Sequence, residues 1–158
     1  MDDKDKVIQS DEFPPSSVGA PIPMLLADEH TKVVAYYVQE DEIVDDPNNE
    51  RIAIVSFSSC KAALFGPPND EAFRGHPLYS RGLRPYSSFV VEDSSWLRIL
   101  RKMNEVHPYH RPENFEDYKH FILSFHDSTF ECIARDFKVE TILGNMRQAI
   151  NVMSEKLR

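Results

Sequence analysis

Histidine and arginine are concentrated in the middle of this 158-residue chain. Five of its six histidines, His76, His107, His110, His120 and His126, lie between positions 76 and 126. The stretch 74–112 holds seven basic residues against three acidic ones, whereas 1–73 holds 15 acidic against 5 basic. Imidazoles transfer protons or ligate metals near neutral pH, and guanidinium groups grip carboxylate and phosphate. A binding or reactive site is therefore expected in this middle region.

Three constellations could carry chemistry. The first is His126–Asp127, with Glu131 across a hairpin. A carboxylate beside an imidazole raises its pKa and fixes its tautomer, as a general base requires. His126, Glu131 and Asp127 are thus the catalytic candidates. Against this stands the plain reading of Asp127 and Ser128 as ordinary turn residues. The second constellation is a Gly/Pro-rich stretch carrying Arg74, His76, Arg81, Arg84 and Tyr86, suited to holding a small anionic ligand. Its arginines could equally pair with the chain's own acidic excess. The third is His107-x-x-His110, with His76, His120 and His126 as distant candidates to complete a zinc-like site. Pro108 separates the pair from any continuous helix, and a histidine at a helix C-terminus already interacts well with the helix dipole. No metal site and no cofactor are expected. Cys60 and Cys132 have no paired spacing and read as buried structural thiols. The chain has no GxGxxG, P-loop, GxSxG or CxxC motif.

The elements that must position these groups follow from periodicity. Residues 1–20 read as a flexible arm ahead of a single domain over 21–158. Met24–Asp28 and Lys32–Val38 read as a hairpin, and Glu40–Glu50 as an acidic, solvated loop. Arg51–Ser58 is nearly continuously apolar, which predicts a central strand. Gly66–Pro85 holds three glycines and four prolines and reads as a long functional loop with one helical turn. Tyr86–Val91 reads as a strand. A helix starts at Ser94 or Ser95, with Trp96, Ile99, Leu100, Met103 and Val106 on one face.

Lys119–Phe125 and Thr129–Phe137 form the clearest hairpin, with Asp127–Ser128 as a two-residue turn and Phe125 facing Phe130. One face then carries Phe121, Leu123, Phe125, Phe130, Cys132 and Ala134. The other carries His120, Ile122, Ser124, His126, Glu131 and Ile133. Thr141–Leu157 reads as a C-terminal amphipathic helix. Together these predict an α+β fold: a single antiparallel sheet of five to seven strands with two main helices, one central and one C-terminal.

A net charge of −8 works against binding nucleic acid or anionic membrane. No apolar run approaches the roughly 18–20 residues of a membrane span. The first residues, MDDKDKVIQSDEF, lack an apolar signal core, so a cytoplasmic location is expected.

The segments FGPPNDEAFRGHPLYSRGLRPY, SSWLRILRKMNEVHPYHRPE and HFILSFHDSTFECIA resemble a group of small bacterial proteins of unassigned function. The resemblance spans about residues 60–135 and implies a bacterial, cytoplasmic protein without implying an activity. The function expected from the residues is a binding module with an Arg/His-rich site for a small anionic ligand or a protein partner. The alternative is a hydrolase or transferase built on a His/carboxylate pair.

Overall fold

A computed structural model describes residues 4–41 and 46–157. In chain order its strands are β1 (Lys6–Ser10), β2 (Met24–Ala27), β3 (Lys32–Tyr37), β4 (Glu50–Ser58), β5 (Ala62–Gly66), β6 (Ser88–Glu92), β7 (Lys119–Ser124), β8 (Thr129–Ala134) and β9 (Asp136–Gly144). The helices are α1 (Ser95–Asn104) and α2 (Met146–Ser154). The class is α+β, as expected, but the strands form two antiparallel sheets rather than one. Five strands are ordered β1-β6-β7-β8-β5, and four are ordered β2-β3-β4-β9.

The reason lies in β4. Its residues alternate between two buried faces: Ala53, Val55 and Phe57 meet the five-stranded sheet, while Ile52 and Ile54 meet α2. Both faces are covered, so the strand is apolar throughout and sits inside its sheet. Between the sheets, Phe57 packs 5.4 Å from Phe121 and 5.5 Å from Phe130, centroid to centroid. Behind the four-stranded sheet, Ala149 and Met153 of α2 pack on Val33, Ala35, Ile52 and Ile54. The outer face of the five-stranded sheet is covered too. Phe73, Leu78 and Leu83 of the 67–86 loop pack on Phe89, Val91 and Ile122.

Three boundaries differ from the sequence expectation. Most of the 1–20 segment is woven into the domain, although residues 1–3 lie outside the described residues. β1 pairs with β6 along its whole length, Phe13 is buried beside Phe57 and Phe121, and the Ser17 N–H donates to the Tyr37 carbonyl (2.9 Å). The acidic loop expected over 40–50 falls partly on residues 42–45, which are also outside the described residues. The C-terminal helix begins at Met146, because 136–144 is strand paired with β4. Asn145 caps it: its side chain accepts from the Gln148 N–H and the Gln148 side chain accepts from the Asn145 N–H, both at 2.9 Å. This reciprocal cap marks a helix start in sequence and outranks the Ile142–Met146 spacing that suggested an earlier one. No helix among the described residues is long and apolar enough to cross a membrane.

The β7–β8 hairpin pairs Ser124 with Thr129 and Leu123 with Phe130. The connection is therefore the four residues 125–128, not a two-residue turn, and the Phe125 N–H donates to the Ser128 carbonyl (2.8 Å). The register sits two residues from the expected one. An even slip leaves every side chain on its expected face. Phe121, Leu123, Phe125, Phe130 and Cys132 are accordingly buried together. The opposite face is buried as well, and it carries the polar groups.

Candidate functional site

β7 and β8 present His120 and Glu131 on the outer face of the five-stranded sheet. Ile122 faces Glu131 directly and His120 lies two pairs further along on the same face, so the imidazole reaches the carboxylate on the diagonal. The third member comes from the loop. A single 3-10 turn at Phe73–Gly75 ends in His76, which is extended at φ −63 and ψ 134. Pro77 favours that conformation in the residue before it.

These groups converge. His76 Nε2 lies 2.8 Å from Glu131 Oε2, and His120 Nε2 lies 2.8 Å from Glu131 Oε1. His76 Nδ1 accepts the Leu78 backbone N–H at 3.0 Å, so its proton is on Nε2 and points at the carboxylate. His120 Nδ1 lies 2.8 Å from Ser94 Oγ. Ser94 is the N-cap of α1 and accepts the Leu97 N–H at 3.2 Å. Two hydrogen-bond chains thus start at backbone N–H groups, Leu78 and Leu97, and end on one carboxylate. Each link donates toward Glu131, so the chains polarise one another in the direction that favours its charge.

The electrostatics follow. Burial alone would raise the Glu131 carboxyl, but the hydrogen bonds donated by His120 and His76, with the electrostatic attraction of the two rings, outweigh it and hold it at about 2. His76 and His120 are buried, and the Glu131 side chain is only 12% exposed. Trp96 stands edge-on to His120 at 5.2 Å. The network ties the loop (His76), the sheet (His120, Glu131) and the start of α1 (Ser94) into one unit.

Directly over Glu131 and His76 opens a groove of about 650 Å³. Leu64 of β5 shares its floor. Pro67, Pro68, Pro77, Trp96 and Ile99 line it too, and Arg98 and Lys102 add positive charge.

The structure regroups the residues singled out in sequence. Glu131 is not the partner of His126; its oxygens are taken by His76 and His120. His126 sits in the 125–128 connection with its side chain 38% exposed and Nδ1 2.9 Å from Asp127 Oδ1. That hydrogen bond raises its pKa. Its Nε2 is 3.9 Å from Asp70 Oδ2, which also accepts the Tyr86 hydroxyl proton. Tyr86 therefore braces Asp70 and does not line the groove. Arg74, Arg81 and Arg84 are exposed, and none of them lines it either. Arg84 Nη1 donates to the Leu83 carbonyl at 2.8 Å, and Arg81 closes a turn before Gly82 at φ 114. His107 and His110 stay apart from this centre. His107 Nδ1 accepts the Tyr109 N–H at 3.1 Å, and His110 Nδ1 lies 2.8 Å from Asn104 Nδ2. No three such side chains gather as a metal cluster among the described residues.

His120 was named in sequence only as a distant metal-ligand candidate, not as a partner of Glu131. The hairpin pattern already placed it on the face of Glu131. Ser94 was legible as a cap but not as a contact of an imidazole. Trp96 belonged to the aromatic-rich middle that could line an apolar pocket, whereas Leu64, Arg98 and Lys102 carried no local signal for a groove.

Every nitrogen of His76 and His120 is engaged by protein groups. These bonds anchor the loop and the start of α1 to the sheet. Comparison with protein-family models, with curated proteins and with solved structures gives no match.

Proposed function

We propose that the protein is a binding module whose site is the groove over Glu131, and that its ligand has an apolar body and an acidic group. The observation that supports this is the combination of exposed apolar side chains with two cations beside Glu131, whose oxygens are already bound by His76 and His120. Ile99 is 57% and Leu64 58% exposed, although both are large aliphatic residues. Their apolar surface is unpaid solvation that a ligand removes. Arg98 and Lys102 supply positive potential in a chain of net charge −8, which selects an anionic group. Small-ligand sites share this mixture of apolar walls and a few placed polar groups. The resemblance of the segments between 60 and 135 supports a bacterial, cytoplasmic setting as part of this reading.

Trp96 is the only tryptophan, and it lines the groove, so it reports occupancy directly. Submicellar dodecanoate is expected to change Trp96 emission saturably, while dodecyltrimethylammonium leaves it unchanged. Equal responses to both amphiphiles, or none to either, would overturn the reading.

A further inference from the structure

We propose that the groove's natural occupant is an extended acidic–apolar peptide segment of a partner protein, which adds as a strand to the free edge of β5. This rests on the groove reading above and names its partner class.

β5 ends the five-stranded sheet, and no strand pairs with its outer edge among the described residues. Sheet edges are normally blunted by charge, proline or brevity, because unpaired backbone groups recruit further strands. The other edges follow that rule. β1 carries Lys6, and β9 carries Asp136, Lys138 and Glu140, the last in a 2.7 Å ion pair with Lys156. β2 has four residues. β5 reads Ala-Ala-Leu-Phe-Gly, with no charge, and Leu64 and Phe65 are both exposed. It is an apolar, unguarded edge.

The groove begins at that edge. Leu64 pairs with Glu131, so both point to the outer face of the sheet, where α1 stands. A strand laid beside β5 would send alternate side chains toward the same face. These would meet Leu64, Trp96 and Ile99. Backbone pairing would supply affinity and the groove would select side chains, as in other strand-addition complexes.

Charge decides the side chains that this groove accepts. α1 contains Arg98, Arg101 and Lys102 and no acidic residue. Glu131, the acidic group of the floor, already receives two N–H donors. The apolar stripe of α1 also runs beyond the groove: Met103 is 67% exposed, and Val106, just past the helix, is 92% exposed. A surface that is apolar and cationic over this length suits a chain segment of alternating leucine and aspartate character better than a compact solute.

The test uses the whole protein and a fluorescein-labelled acetyl-Asp-Leu-Asp-Leu-Asp-Leu-amide probe, read by anisotropy. Three further probes accompany it: the same peptide with alternate backbone nitrogens methylated, in each of the two phases, and the lysine-for-aspartate version. Saturable binding is expected, with competition by dodecanoate and slowed amide hydrogen exchange across Ala62–Gly66. Methylation in one phase is expected to weaken binding about tenfold or more, since it blocks strand pairing and leaves the side chains intact. The lysine peptide is expected to bind at least about tenfold more weakly. If dodecanoate binds and the peptide does not, strand addition is overturned and the groove reading stands. If both methylated peptides bind like the parent, strand addition is overturned as well. Equal binding of the lysine peptide overturns the acidic assignment. If neither dodecanoate nor any peptide binds, both proposals fall.

Discussion

The two faces of the β7–β8 hairpin are equally buried and are built from opposite materials. The inner face holds Phe121, Leu123, Phe130, Cys132 and Ala134 against the second sheet. The outer face interleaves Ile122 and Ile133 with His120, Ser124, Thr129 and Glu131. The inner face is held by volume and apolar area, which are non-directional. The outer face is held by hydrogen bonds that fix where the loop and α1 sit. Ser124 Oγ contacts the Arg84 and Ser87 carbonyls at 2.9 and 3.0 Å, and Thr129 Oγ1 donates to the Pro68 carbonyl at 2.8 Å. Stability comes mainly from the first face, and the shape of the groove from the second.

The largest effect that separates the faces is expected from Phe130→Ala. Its ring is fully buried, and its loss should lower the unfolding free energy by about 3–5 kcal/mol in urea titrations. The folded fraction should still bind dodecanoate with unchanged affinity. A loss of affinity in folded protein would show that the faces are not separable.

Glu131→Ala is expected to cost a comparable amount, because it orphans two buried imidazole N–H groups at about 1–3 kcal/mol each. Its distinguishing mark is local. Hydrogen exchange at Leu78 and along the 67–78 segment should accelerate more than exchange in β4. Uniform acceleration would make the network a generic core contact and not an anchor for the loop.

Acid titration sharpens the same point. Glu131 is held down from 4.5 to about 2 in the folded chain. Its contribution is therefore fully present above its unfolded value and is lost as pH falls from near 4.5 toward 2. The difference corresponds to about 3 kcal/mol. Urea unfolding of wild type and Glu131→Gln should differ at neutral pH and converge across that window. A difference that persists at the acid end would contradict a role for the ionised carboxylate.

The smallest change in stability and a clear change in binding are expected together for Ile99→Ser. The side chain is largely exposed, so unfolding should shift by no more than about 0.5 kcal/mol. Dodecanoate affinity should fall several-fold, as measured by Trp96 emission. Unaltered affinity would remove Ile99 from the site.

Much of the fold was legible locally. The apolar run of β4 gave its interior position, and alternation gave both faces of β7–β8 even though the turn length was misjudged. The division into two sheets was not legible, because pairing of β4 with β9, and of β5 with β8, is set by packing between distant segments. The arm at 6–17 was misread because its composition is polar, whereas one aromatic, Phe13, docks it. Glu131 was identified from the face it occupies. Its partner was misassigned to His126 because that residue is close in sequence. His76 reaches it from 55 positions away, through a proline-rich loop whose docking no local pattern encodes. The arginines drew attention by type, but exposed arginines on an acidic protein need no ligand to explain them.

The most direct measurement is backbone-amide NMR mapping of the full-length protein on titration with dodecanoate. The account predicts shifts concentrated at Leu64, Trp96, Ile99 and Glu131, with the inner-face residues Phe121, Leu123 and Phe130 unmoved. Shifts centred on the exposed arginines of the 74–84 loop or on His126, or no saturable shift anywhere, would contradict it.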